Sequence, residues 1–185
     1  MNKQNIAGLL VFVGVFIFSL SIMIDEALRP SFSINSGYIS DLGVGPNADL
    51  FNYTIILMGA MIVISGAILL YGKIKEPWVF GIILVGIGAM GVGIFPGNVN
   101  PTFHSYSALI AFFMSGVTAV LFSIHKGTAL RVLSPIVGAL ILVSVYLFTV
   151  GKFYGLGPGG MERLIVYPVL LWALALSGHL MNQRE

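Results

Sequence analysis

The sequence predicts an all-α integral membrane protein: six transmembrane helices in an antiparallel bundle, with both termini cytoplasmic. Three observations carry this. Of the 185 residues, 57% are apolar and only 9% are charged, against roughly 45–50% and about 25% in soluble domains. Mean hydropathy is +0.98. The apolar residues fall in six runs, each long enough for a helix of about 20 residues to cross a hydrocarbon core about 30 Å thick. So few charges cannot cover the surface of a soluble globule of this size. That excludes a cytosolic enzyme, a disordered chain and a nucleic-acid-binding protein. The net charge of +2 is too small to point to a polyanionic partner, and membrane lipids are the expected partners, with a homo-oligomer also open. With no cysteine in the chain, disulfides, thiolate metal sites and cysteine nucleophiles are absent.

The six runs are residues 6–24, 51–70, 77–95, 105–124, 132–150 and 164–181, all in one transmembrane domain over residues 1–185, and none contains Asp, Glu, Lys or Arg. They lack the strict alternation of β-spans and are too long for them. The first run is longer than the apolar part of a signal peptide, with no small-x-small cleavage site after it, and reads as a retained anchor. Orientation follows from the basic residues. With the N-terminus inside, Lys3, Lys73, Lys75, Lys126, Arg131 and Arg184 lie on the cytoplasmic side, and Arg29, Lys152 and Arg163 lie outside. Asp25, Glu26, Asp41, Asp49 and Glu162 fall outside as well, leaving Glu76 and Glu185 inside. The inner connections, residues 71–76 and 125–131, are hairpin turns. The outer ones, residues 25–50, 96–104 and 151–163, hold most of the polar side chains and are the expected place for function. The short loops suit a prokaryotic plasma membrane, with the site on the extracellular side.

The third run carries Gly81, Gly86, Gly88, Gly91 and Gly93. Glycine lets helices approach closely in lipid, so this helix is expected to pack tightly; a helix that bends or slides is the other reading. Residues 86–91 (GIGAMG) match G-x-G-x-x-G, but they lie mid-membrane with no soluble strand before them, so the match is not a dinucleotide fingerprint. Trp172 lies mid-span, where it packs or lines a cavity. Tyr53, Tyr106, Tyr154 and Tyr167 fall near the outer boundary, as an interfacial belt would.

The candidate site is drawn from all three outer connections. The first holds Tyr38, Ser40 and Asp41 in a polar stretch that also contains Ile and Leu and is expected to fold back over the helix ends. Ser40 or Asp41 also suits the cap of a short interfacial helix. The second holds Asn98 and Asn100, with His104 in the first turn of the fourth span. There an imidazole serves as base, headgroup ligand or metal ligand, or is simply bonded to a loop carbonyl. The third brings Glu162 to the start of the sixth span, where the macrodipole favours a carboxylate, and Arg163 beside it, a phosphate ligand if it faces inward. In the catalytic reading Asp41 or Glu162 orients His104, while Arg163, Ser40, Tyr38, Asn98 and Asn100 bind. Such a set fits an anionic lipid headgroup and is adequate for acid–base hydrolysis or acyl transfer. No cofactor is expected. His125 and His179 fall at the cytoplasmic ends of the fourth and sixth spans, so a three-histidine zinc site is disfavoured; a site of Asp41, His104 and Glu162 stays open. The lack of charge at mid-depth disfavours an ion-coupled transporter. A lipid-modifying enzyme and a non-catalytic lipid-binding or scaffold protein remain.

GYISDLG followed by PNADLF and a span resembles the "YISD-G…PP…F" signature of the DRAM autophagy-modulator family, which includes relatives involved in remodelling the lipid of GPI anchors. FHSYSALIAF is similar to the "LH…GA…F" opening of that family's fourth span. The whole chain also resembles the prokaryotic six-span proteins of domain-of-unknown-function family 998, which share an SDLG loop, an FPG…H step and a late Glu-Arg pair. Tyr38, Ser40, Asp41, Gly43, His104 and Glu162 carry the match. Pro46–Asn47 stands where the eukaryotic relatives have paired prolines. The resemblance implies a six-helix bundle whose outer loops form the functional face; it carries no reaction with it.

Overall fold

The computed structural model describes residues 1–125 and 128–183. Lys126 and Arg184, assigned above to the cytoplasmic side, lie outside the described residues, as does Glu185. Six helices form: α1 Lys3–Ala27, α2 Ala48–Tyr71, α3 Pro77–Ile94, α4 Pro101–Phe122, α5 Leu130–Thr149 and α6 Gly157–Met181. There is no strand among the described residues. Each of the six is long and apolar enough to cross a membrane.

The helix starts follow local chemistry. Asn2 caps α1 by accepting the Asn5 N–H at 2.8 Å, and Asn5 returns the bond to the Asn2 N–H at 3.1 Å, so two of the unpaired first-turn donors find acceptors. Pro77 and Pro101 open α3 and α4, where a missing N–H costs nothing. Asn100 caps α4 by accepting the Phe103 N–H at 3.1 Å.

Consecutive helices pack against one another, and α6 returns against α1 to close a ring. The ends of the chain meet at one face: the Asn2 amide donates to the Gln183 carbonyl at 2.8 Å, and the Asn5 amide to that of Met181 at 2.8 Å. This is the terminal face; the opposite one is the loop face. Outward side chains are apolar too, such as Leu171, Ile136 and Phe16, as expected of a bundle whose solvent is lipid. The expected tyrosine belt is exposed at Tyr53, Tyr106, Tyr154 and Tyr167.

α3 lies between α2 and α4, and its glycines sit at those contacts. A Cβ on Gly86 would stand 2.7 Å from the Gly59 carbonyl of α2, and one on Gly88 2.6 Å from the Ala111 N–H group of α4. These are backbone-to-backbone contacts, the tight-packing reading rather than a loose hinge.

Five of the six helices are longer than their apolar runs and most of these take in charged flanking residues, while α3 ends one residue short of its run. α1 includes Lys3, Asp25 and Glu26, α2 includes Asp49, α5 includes Arg131, and α6 includes Glu162 and Arg163. The largest change is at α6, which begins seven residues before 164, at Gly157. Its Gly-Pro-Gly-Gly start reads as loop, yet Pro158 fits a first helical turn. Gly159 and Gly160 donate to the Asn35 carbonyl at 2.9 and 3.4 Å. The loop backbone crosses so close there that no side chain fits on Gly159.

Candidate functional site

The first loop folds back over the helix ends, as its composition suggests. Its centre is a short 3-10 helix, Ile39–Gly43. Asp41 reaches back to accept the Tyr38 N–H at 2.9 Å, so Asp41 does cap the short helix.

Two arginines hold this loop down. Arg29 donates to the carbonyls of Asp41 (3.1 Å), Val44 (2.9 Å) and Leu42 (2.6 Å), and pairs with Asp25 at 3.1 Å. Arg163 donates from one nitrogen to the carbonyls of Ile34 (2.9 Å), Gly37 (2.8 Å) and Gly159 (2.9 Å). Its other terminal nitrogen bonds to Glu26, and the Phe32 ring lies under the guanidinium at 5.6 Å. Its Nε is buried without a partner among the described residues. Arg163 thus fastens the loop to α6. Asp25 and Glu26, in the last turn of α1, compensate the two cations, Arg163 buried and Arg29 partly buried. By hydropathy alone both acids fall in the first outer loop, with no role of their own. The signal was present: two acids ending an apolar run require cations at the same depth.

Glu162 lies beyond the first turn of α6, so the macrodipole is not its main support, contrary to the expectation for a residue at the span's start. It accepts the N–H of Ile39 from the short helix. Neighbours on a helix point about 100° apart, which is why Glu162 faces the bundle axis while Arg163 faces the loop.

Beneath the loop is an apolar cavity of about 70 Å³. Phe18, Phe51, Ala108, Phe112 and Val166 are among its walls, and Glu162 and Ser40 are its polar lining groups. A second cavity of about 50 Å³ reaches to Trp172 and Leu176. The two share Met58, Val85, Val169 and Leu170 as a partition, and α5 lines neither. Trp172 both lines and packs: it is buried, and its indole N–H donates to Ser134 at 2.8 Å.

Of the residues singled out by sequence, the structure brings Ser40 and Glu162 to one cavity. Tyr38 and Asp41 meet each other, and the Tyr38 ring packs edge-on against Phe148 at 5.7 Å. His104 does not line the cavity; its Nδ1 is 3.0 Å from the Phe95 carbonyl, the simple loop-bonded arrangement. Asn100 is the α4 cap, and Asn98 is exposed. His125 and His179 lie together at the terminal face, 3.4 Å apart, remote from His104.

Six apolar helices closed into a ring, with a loop clamped over one end, define a polytopic integral membrane protein. The chain belongs to the family described as protein of unknown function DUF998, whose model matches residues 12–179. No curated protein and no solved structure matches it.

Proposed function

We propose that this protein binds a membrane lipid without converting it. A hydrocarbon chain enters the axial cavity, and its polar end meets Glu162 and Ser40. The observation that carries this is a buried carboxylate and a hydroxyl bordering an otherwise apolar cavity. Pockets of this kind use apolar walls for affinity and a few polar groups for orientation. A carboxylate and a serine favour a head that donates hydrogen bonds, such as a hydroxyl or an ammonium. Met58 and Leu170 in the partition are flexible side chains, and their movement joins the two cavities. The bonds already made by the other polar residues favour binding over chemistry. Asp41 is spent on a cap, His104 on the Phe95 carbonyl and Arg163 on loop carbonyls.

The test is lipid retention in protein purified without a tag and analysed by mass spectrometry. Ala108→Phe, which fills the cavity, is expected to cut co-purified lipid at least tenfold while Tm is held. Glu162→Gln keeps the shape and is expected to change which headgroups are retained. Wild-type lipid content in Ala108→Phe removes the proposal. Turnover of any lipid by the native protein, lost in His104→Ala, moves the reading to a lipid-modifying enzyme.

We propose further that the loop face lies outside, a reading supported by the distribution of lysine and arginine, and that the membrane is the plasma membrane of a prokaryote, which the short loops suit. The absence of native cysteine makes this simple to check. Ser36→Cys, exposed at the loop face, is expected to react with an impermeant maleimide in intact cells, and Lys75→Cys only after lysis. The reverse pattern inverts the topology.

A further inference from the structure

The terminal face holds a cluster that the lipid site does not use. His125, just beyond the end of α4, and His179, in the last turn of α6, turn their imidazoles together, with Nε2 3.4 Å from Nε2. His125 Nδ1 lies 2.8 Å from the carboxylate of Glu76, the residue before α3. The indole N–H of Trp78 donates to the same carboxylate at 2.9 Å. Packing fixes the rings as well. Phe122, fully buried, stacks on His125 with centroids 5.1 Å apart and meets His179 edge-on at 5.8 Å.

The carboxylate accepts only, so Nδ1 of His125 carries a hydrogen, and in the neutral ring Nε2 presents a lone pair to His179. A separation of 3.4 Å is long for a hydrogen bond between ring nitrogens. It matches the edge of a coordination tetrahedron: with metal–nitrogen bonds of about 2.0–2.1 Å, two imidazole donors stand roughly 3.3–3.4 Å apart. A carboxylate on the far nitrogen is the usual support of a metal-bound histidine, since it sets the tautomer and raises the ligand's basicity.

The geometry points to a divalent transition-metal site of the zinc class, with His125 and His179 as its protein ligands and Glu76 as the residue that orients His125. Imidazole donors select such ions over magnesium and calcium. No third His, Cys, Asp or Glu joins the pair among the described residues, so water fills the other positions. The His125 side chain is 22% exposed, which gives the ion a path from solution. Binding ties the ends of α3, α4 and α6 together, beside the clasp formed by Asn2, Asn5 and Gln183. This site is independent of the lipid site, which lies at the opposite face.

The experiment uses the full-length chain in detergent micelles, free of any affinity tag, stripped with a chelator and titrated with zinc alone against a chromogenic chelator. One zinc per chain is expected. His125→Asn and His179→Asn are each expected to weaken binding at least tenfold, and Glu76→Gln by about 10- to 100-fold. His104→Asn, at the other face, is expected to bind as wild type does. Equal zinc binding by wild type and both histidine variants overturns the proposal. Two readouts on the wild-type chain do not depend on variant folding: a visible absorption band with cobalt typical of a tetrahedral ion, and a zinc-dependent rise in Tm. Absence of both overturns it as well.

Discussion

Arg163→Ala is expected to lower Tm by about 10 °C and to open the first loop to protease. The guanidinium satisfies three loop-face carbonyls and one carboxylate, and it is 5% exposed. Removing it leaves Glu26, only 18% exposed, as a charge without its partner, and the carbonyls of Ile34 and Gly37 without this donor. Breaking a buried ion pair in this way costs about 3–5 kcal/mol, and for a chain of this length each kcal/mol shifts Tm by roughly 2–4 °C. Arg163→Lys is expected to recover only a small part. A lysine ammonium is a compact point charge and cannot spread its donors from Glu26 to the three carbonyls as the planar fork does. The measurement is thermal melting of the detergent-solubilised protein, with limited proteolysis mapping the cuts. They are expected between residues 28 and 38, the part of the loop that Arg163 holds, with Arg29 still holding the short helix through the carbonyls of Asp41, Leu42 and Val44. A lysine variant as stable and as resistant as wild type would show that charge alone, and not the fork, holds the loop.

The same residue shows what sequence alone makes legible. Depth does: an apolar run of known length puts Arg163, His104 and Asp41 at one face, and the helices that form confirm the six-span order. Direction does not. Whether Arg163 faces a ligand or a loop depends on where α6 begins, and its Gly-Pro-Gly-Gly start reads as a break. That stretch needs its glycines because the carbonyls of Asn35 and Gly37 occupy the space a side chain would need, a contact across more than 100 residues. The pairing of His125 with His179 was hidden for a related reason. Both lie at the terminal face by depth, but hydropathy does not say which helices become neighbours in the ring. Local chemistry was easier to read. The cap at Asp41 and the His104 bond to a loop carbonyl both involve partners within nine residues.

Gly86→Ala is expected to destabilise the bundle by about 1–3 kcal/mol, the usual cost of forcing a methyl group into a packed interior. Gly178→Ala is expected to be neutral or to stabilise by up to about 1 kcal/mol. Both glycines lie inside apolar helices, and intrinsic propensity favours alanine at both. The difference is what each would meet. A Cβ on Gly86 reaches the Gly59 carbonyl at 2.7 Å and the Val63 side chain at 2.8 Å, whereas one on Gly178 finds nothing within 4 Å. The Gly59–Gly86 contact is reciprocal, since a Cβ on Gly59 would stand 2.6 Å from the Gly86 carbonyl. Backbone cannot swing aside as a side chain does, so α2 and α3 must separate, and their separation reshapes the cavities that Met58 and Val85 divide. Lipids are as apolar as the helix surfaces, so contact between helices rests on close fit rather than on exclusion of water. Gly86→Ala is therefore expected to lose co-purified lipid together with stability, and Gly178→Ala to lose neither. Thermal melting and lipid analysis of the two variants, side by side, check this. Equal Tm values would show that the glycines of α3 are not what brings α2 and α3 together.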